Sequence, residues 1–165
     1  LSDIENRRES DGSEFDIKTA ITNTVEALRP ISHAKNVTVI TELEDGLMIA
    51  GSVDRFRQMM VNLIENAVKY SDEGGRIWVK AAKDSGQITV SVRDEGIGIA
   101  PEHHERLFER FYRVSEGRTR DDGGSGLGLS IVKNAVAFHC GSIKAVNRLK
   151  GGLQFYFSLK RVADD

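Results

Sequence analysis

The sequence predicts an α+β fold, a two-layer α/β sandwich with a mixed, mostly antiparallel sheet packed under about three helices. Three observations carry this. Two pairs of alternating runs, near 76–94 and 142–160, flank glycine turns and read as hairpins. Segments near 53–70 and 126–139 repeat apolar residues at helical spacing. Helices and strands also alternate along the chain instead of falling into separate halves.

Residues 1–13, LSDIENRRESDGS, are polar and end in turn formers. They read as the end of an upstream helix plus a linker, or equally as a frayed terminus. The domain proper then runs over 14–162. Asp16 can cap a helix reaching about residue 35, with Ile17, Ile21, Val25 and Leu28 roughly on one face and Pro30 as a kink. VTVITEL, 37–43, alternates as a strand does, and a short strand is expected over 48–50. Ser52 or Asp54 caps the strong helix to about residue 70. RIWVKAAKD and QITVSVRDE turn at Ser85 and Gly86. Residues 99–123 form a long, charged, irregular segment, a length more often functional than filler. A helix over 126–139 and a hairpin joined by Lys150, Gly151 and Gly152 complete the domain.

Composition excludes several classes. The 165 residues, enough for one compact domain with a core, carry 23 basic and 25 acidic side chains. A broad nucleic-acid-binding face is not indicated at a net charge of −2. No apolar run approaches the roughly 20 residues of a membrane helix, so no membrane contact is expected of this segment. Cys140 is the sole cysteine, which fits a reducing compartment. The first residue is leucine, as expected of a piece of a longer protein.

Four segments carry chemistry. In NLIENAVKYS, 62–71, Asn62, Asn66 and Lys69 continue a polar stripe from Gln58 along an otherwise apolar helix. Amides beside a core need partners, and a hydrated magnesium ion with phosphate oxygens would supply them. From the stripe alone, a solvated helix face is the commoner explanation. In DEGIG, 94–98, parity puts Asp94 on the same face as Ile88, Val90 and Val92. A core-facing carboxylate needs strong donors. An adenine amino group is one, whereas guanine would present an acceptor there. Taken alone, an ordinary Asp-Glu-Gly turn explains the segment as well. In GGSGLGLSIVK, 123–133, alternating glycines open directly into a helix, leaving amides exposed for an anion. The Gly-Lys-Ser/Thr of a P-loop is missing, and Leu127, Leu129, Ile131 and Val132 read by default as core. LFERFYR, 107–113, sets aromatics in a charged segment, either fastening a movable lid or forming a satellite apolar cluster.

Together and in order, these segments resemble the catalytic ATP-binding domain of bacterial sensor histidine kinases, within the wider group of gyrase, Hsp90 and MutL (the GHKL group). NLIENAVKYS is similar to the N box, DEGIG to the G1 box, LFERFYR to the F box and GGSGLGLSIVK to the G2 box. GGLQFYF, 151–157, resembles the final glycine motif, and the likeness spans about 15–160.

The resemblance implies a Bergerat fold binding ATP and Mg2+ under a lid over about 99–123. By position, Asn66 would be the magnesium ligand. Asn62 and Lys69 would contact phosphate, and with Glu65 they form the catalytic set. Tyr70 would lie along the base and Asp94 would read its amino group. Gly96, Gly98, Ile99, Phe108, Arg113, Gly124, Gly126, Leu127, Gly128 and Leu129 complete the nucleotide-lining positions. Hydrolytic relatives carry a glutamate four residues before the metal-binding asparagine. Asn62 stands there instead, and an amide accepts no proton at neutral pH.

The resemblance also implies an acceptor histidine in an H-E/D-x-x-T/N-P setting, which this chain lacks. His104-Glu105-Arg106 has no such continuation, and His33 and His139 have no acidic neighbour. The expected partners are an upstream dimerisation domain carrying that histidine and the receiver domain of a response regulator. The parent is expected to be a membrane-anchored homodimer with this part in the cytoplasm. Two alternatives are a serine kinase of the anti-sigma class on the same fold and a catalytically silent ATP-binding module.

Overall fold

The computed structural model describes residues 13–96, 128–139, 141–147 and 152–162. The chain opens with β1 (Ser13–Asp16), α1 (Ile17–Ala27), α2 (Arg29–Ala34), β2 (Thr38–Leu43), β3 (Met48–Gly51) and α3 (Val53–Tyr70). Next come β4 (Arg76–Lys83), β5 (Gln87–Asp94), α4 (Gly128–Phe138), β6 (Ser142–Asn147) and β7 (Leu153–Lys160).

Five strands form one sheet in the order β2-β4-β5-β7-β6. Only the β2–β4 pair is parallel; the β4–β5, β5–β7 and β6–β7 pairs are antiparallel. This is the mixed, mostly antiparallel sheet expected. Alternation gives it two unlike faces. Ile77, Val79 and Ala81 of β4, Ile88, Val90 and Val92 of β5, and Leu153, Phe155, Phe157 and Leu159 of β7 are all buried in one core. That core also takes Phe56, Met59, Met60, Leu63 and Ile64 of α3, and Val132 and Val136 of α4. Burying each large side chain is worth about 1.5–3 kcal/mol, so this shared face is what joins the two layers. The opposite sheet face is polar. There the guanidinium groups of Arg76 and Arg93 stand 5.0 and 4.0 Å from the centre of the Trp78 ring.

Two expectations are corrected. The first helix does not run unbroken to residue 35. α1 ends at Ala27, Leu28 separates it from α2, and Pro30 sits in the first turn of α2. A proline donates no backbone hydrogen bond, and a first turn asks none of it. The described residues therefore hold four helices, where about three were expected. Second, a strand that the sequence reading did not include precedes the first helix, over 13–16. It pairs with β3, Ser13 opposite Gly51 and Asp16 opposite Met48. Of the two candidate caps of α3, Ser52 is the one used, its hydroxyl accepting from the Arg55 amide at 3.2 Å. Asp16 caps α1 as expected, accepting from the Lys18 amide at 2.8 Å.

Candidate functional site

The site is built where the C-terminal end of α3 meets the end of β5. Asp94 closes the buried row of β5 and is itself 4% exposed. Its Oδ1 accepts from the amides of Gly96 at 2.8 Å and Leu153 at 3.2 Å. Burial raises its pKa from the ordinary carboxylate range, and the two amides offset that rise only in part. A desolvated carboxylate with one oxygen occupied by two amides is poised to receive a ligand donor on the other.

Two glycines make this geometry possible. A Cβ on Gly96 would lie 2.1 Å from the carbonyl oxygen of Tyr70, so only glycine lets the strand end close against the helix end. Gly152 has a φ of +96°, and a Cβ there would lie 2.1 Å from the carbonyl oxygen of Asp94. Gly152 and Leu153 position Asp94, yet the site residues anticipated from sequence do not include them. The final glycine motif was their only signal.

Along α3 the polar stripe grades from open to enclosed. Gln58 is exposed, as is Glu65, whereas Asn62, Asn66, Lys69 and Tyr70 are half-buried. The Nδ2 of Asn62 is buried and has no hydrogen-bond partner among the described residues. A buried amide donor without an acceptor costs about 1–3 kcal/mol, so this atom calls for an oxygen-bearing ligand. The ammonium of Lys69 stands 5.2 Å from the centre of the Tyr70 ring.

The end of α3 is held by residues that sequence patterning did not single out. The Ser71 hydroxyl donates to the Ala67 carbonyl at 2.7 Å. Lys35, from the corner after α2, donates through Nζ to the carbonyls of Val68 at 3.0 Å and Lys69 at 2.8 Å. At its other end α3 abuts His139, whose Nε2 accepts from the Ser52 amide at 3.1 Å. His139 is buried, whereas His33 is exposed.

Lys69, Tyr70, Asp94 and Gly96 thus lie at one helix–strand junction, with Asn66 and Asn62 about one and two turns back along α3. Gly98, Ile99, Phe108, Arg113, Gly124, Gly126 and Leu127 lie outside the described residues, as do His104 and the lid over 99–123. Gly128 and Leu129 open α4. Among the described residues no group of three or more His, Cys, Asp or Glu is placed to hold a metal. No described helix is long and apolar enough to cross a membrane.

Comparison with known proteins accords with this geometry. The family described as "Histidine kinase-, DNA gyrase B-, and HSP90-like ATPase" matches residues 51–163. The sensor-like histidine kinase SenX3 of Mycolicibacterium smegmatis is 34% identical over 149 residues, 90% of this chain and 39% of that protein. WalK of Bacillus subtilis is 40% identical over 128 residues, 76% of this chain and 21% of that one. The chain therefore spans about two fifths or less of these curated relatives. Among solved structures, the mycobacterial sensor histidine kinase MprB superposes with a TM-score of 0.82 at 25% identity, covering 93% of this chain and 99% of that one. Full-length ShkA in complex with AMPPNP gives 0.79 at 30% identity, over 94% of this chain and 33% of that one. The chain belongs to the histidine kinase-, DNA gyrase B- and HSP90-like ATPase family.

Proposed function

We propose that this chain is the ATP-binding catalytic domain of a sensor histidine kinase. It transfers the γ-phosphoryl group of ATP to a histidine of an upstream dimerisation domain. The receiver domain of a response regulator is the next acceptor. The carrying observation is Asp94, a buried carboxylate at the end of β5 beside the last turn of α3. Its desolvation makes it selective for a donor, and the adenine amino group is that donor. Tyr70 lies along the base, while Asn62 and Lys69 meet phosphate oxygens. The unpartnered Nδ2 of Asn62 supports its place there.

Asn66 would hold a magnesium ion, which would supply charge neutralisation at the phosphates. One amide is a fitting protein share for an ion that keeps most of its water. The remaining work is positioning and electrostatics. An imidazole nitrogen forms the new N–P bond as the bond from the γ-phosphorus to the bridging oxygen breaks. ADP leaves with that electron pair. Glu65 is exposed on α3, where it takes the proton shed by the acceptor's other ring nitrogen. Asn62 cannot act as a base toward water, so hydrolysis stays slow. ATP and a single cysteine both suit the cytoplasm.

Titration calorimetry with a non-hydrolysable ATP analogue and magnesium tests the reading. Binding that needs magnesium and is lost with the guanine analogue is expected. No magnesium-dependent binding, or equal binding of guanine, overturns it. Transfer of label from γ-phosphate-labelled ATP to a supplied dimerisation domain then separates a histidine from a serine acceptor by the acid lability of the product.

A further inference from the structure

The last carbonyls of a helix have no partner within it, and they carry its negative dipole end. At the end of α3 they meet Lys35, which lies 33 and 34 residues earlier in the chain than its two acceptors. The Ser71 amide reaches the Ala67 and Val68 carbonyls. Lys35 takes the Val68 and Lys69 carbonyls through one ammonium. The clasp is reciprocal. The Gly74 amide, from the turn after α3, donates to the Lys35 carbonyl at 3.3 Å, and the Thr38 amide donates to Gly75 at 3.0 Å. Asn36 turns the corner at a φ of 54°, and its side chain donates to Glu73 at 3.3 Å. Asparagine tolerates that left-handed conformation better than most residues. The corner between α2 and β2 thus grips the segment from Val68 to Gly75 at several points.

We propose that Lys35 is a positioning residue of the nucleotide site. Its ammonium holds the last turn of α3, and so fixes Lys69 and Tyr70 in place without touching the ligand. This rests on the reading that Lys69 and Tyr70 meet the nucleotide. A charged donor is suited to the task, because one ammonium satisfies two carbonyls and opposes the dipole. The grip also joins the nucleotide end of α3 to the start of β2, an edge strand of the sheet.

The test compares Lys35→Met and Lys35→Arg with the unaltered chain, by titration of a non-hydrolysable ATP analogue with magnesium. Lys35→Met should weaken affinity by about tenfold, since small misplacements of contacting groups are felt strongly. Lys35→Arg keeps the charge and several donors, and should stay within about twofold. Ile88→Val and Leu159→Ala, core changes at the opposite end of β5 from Asp94, should bracket the loss of melting temperature while leaving affinity unchanged. Should Lys35→Met not fold, Lys35→Gln, which drops the charge and keeps one donor branch, takes its place. Unchanged affinity in Lys35→Met overturns the role. So does an equal loss in Lys35→Arg, or a loss in the core controls that matches Lys35→Met at equal melting temperature. Failure of the unaltered chain to bind is a different result, and it overturns the proposed function itself.

Discussion

The two ends of α3 are held by opposite chemistry. At its start, the Ser52 hydroxyl caps the helix and the Ser52 amide donates to His139. Nδ1 of His139 lies 2.7 Å from the Ala135 carbonyl. A carbonyl only accepts and an amide N–H only donates, so the ring is the neutral tautomer with its proton on Nδ1. Aromatic rings enclose it: Phe138 at 5.0 Å and Phe15 at 6.4 Å, with Phe15 also 5.9 Å from Phe56. The guanidinium of Arg55 covers Phe138 at 4.4 Å. At its finish, α3 is held by an ammonium, a hydroxyl and a close glycine contact, beside a buried carboxylate. One end is packed among aromatic rings and capped by Ser52. The other is held by polar bonds and keeps Asn62, Asn66, Lys69 and Tyr70 half-buried. Under the proposed function, a single helix thus serves as an anchor at one end and as a binding edge at the other.

That contrast predicts that changes at the start of α3 cost stability, whereas changes at its finish cost affinity. The largest effect is expected of Phe56→Ala, which empties a fully buried ring site. It should lower unfolding free energy by about 3–5 kcal/mol in urea titrations, while the protein that remains folded keeps its nucleotide affinity. A fall in affinity greater than the unfolded fraction explains would break the contrast.

Asp94→Asn should do the reverse. The Asn carbonyl can still accept the Gly96 and Leu153 amides, but the charge proposed to attract the base is gone. Affinity for the ATP analogue should drop by about 2–3 kcal/mol, roughly 30- to 150-fold. Urea unfolding without nucleotide should show equal or greater stability, since a desolvated charge has been removed. Marked destabilisation would make Asp94 a structural residue instead.

Ser52→Ala removes the cap hydroxyl and should cost about 1 kcal/mol with affinity intact. Circular dichroism during thermal unfolding is sufficient to read it.

The smallest effect is the dependence of stability on pH, and the two ends should titrate in opposite senses. Burial lowers the pKa of His139, so the unfolded chain takes up this proton first as pH falls. Its contribution is present above the ordinary histidine value and is lost below it. Asp94 has a raised pKa, so its contribution is present below the ordinary carboxylate value and lost as pH rises to its folded value. His139→Gln should erase the first slope and Asp94→Asn the second. Slopes that survive both substitutions would assign the titration elsewhere.

Much of this was legible in the sequence because it is periodic. Alternation over 76–94 and 153–160 set the strands and the buried row that ends in Asp94. Helical spacing set the two faces of α3, and Ser52 stood among its possible caps. β1 was missed because a four-residue strand has little room for a pattern, and its pairing with β3 supplies what the pattern lacks. The break at Leu28 was placed as a kink at Pro30, since the helical spacing continues on both sides of it.

The sequence by itself determined which residue types could meet a nucleotide, and their order along the chain. Side-chain chemistry and local periodicity are properties of neighbouring residues. Only the tertiary structure decided how those residues are held. Lys35 reaches α3 across 33 residues, His139 reaches Ser52 across 87, and Leu153 reaches Asp94 across 59. Such contacts follow from how sheet and helices stack around a shared apolar core. The apolar pattern specifies that stacking, but the polar residues it brings together carry no sign of one another in the chain.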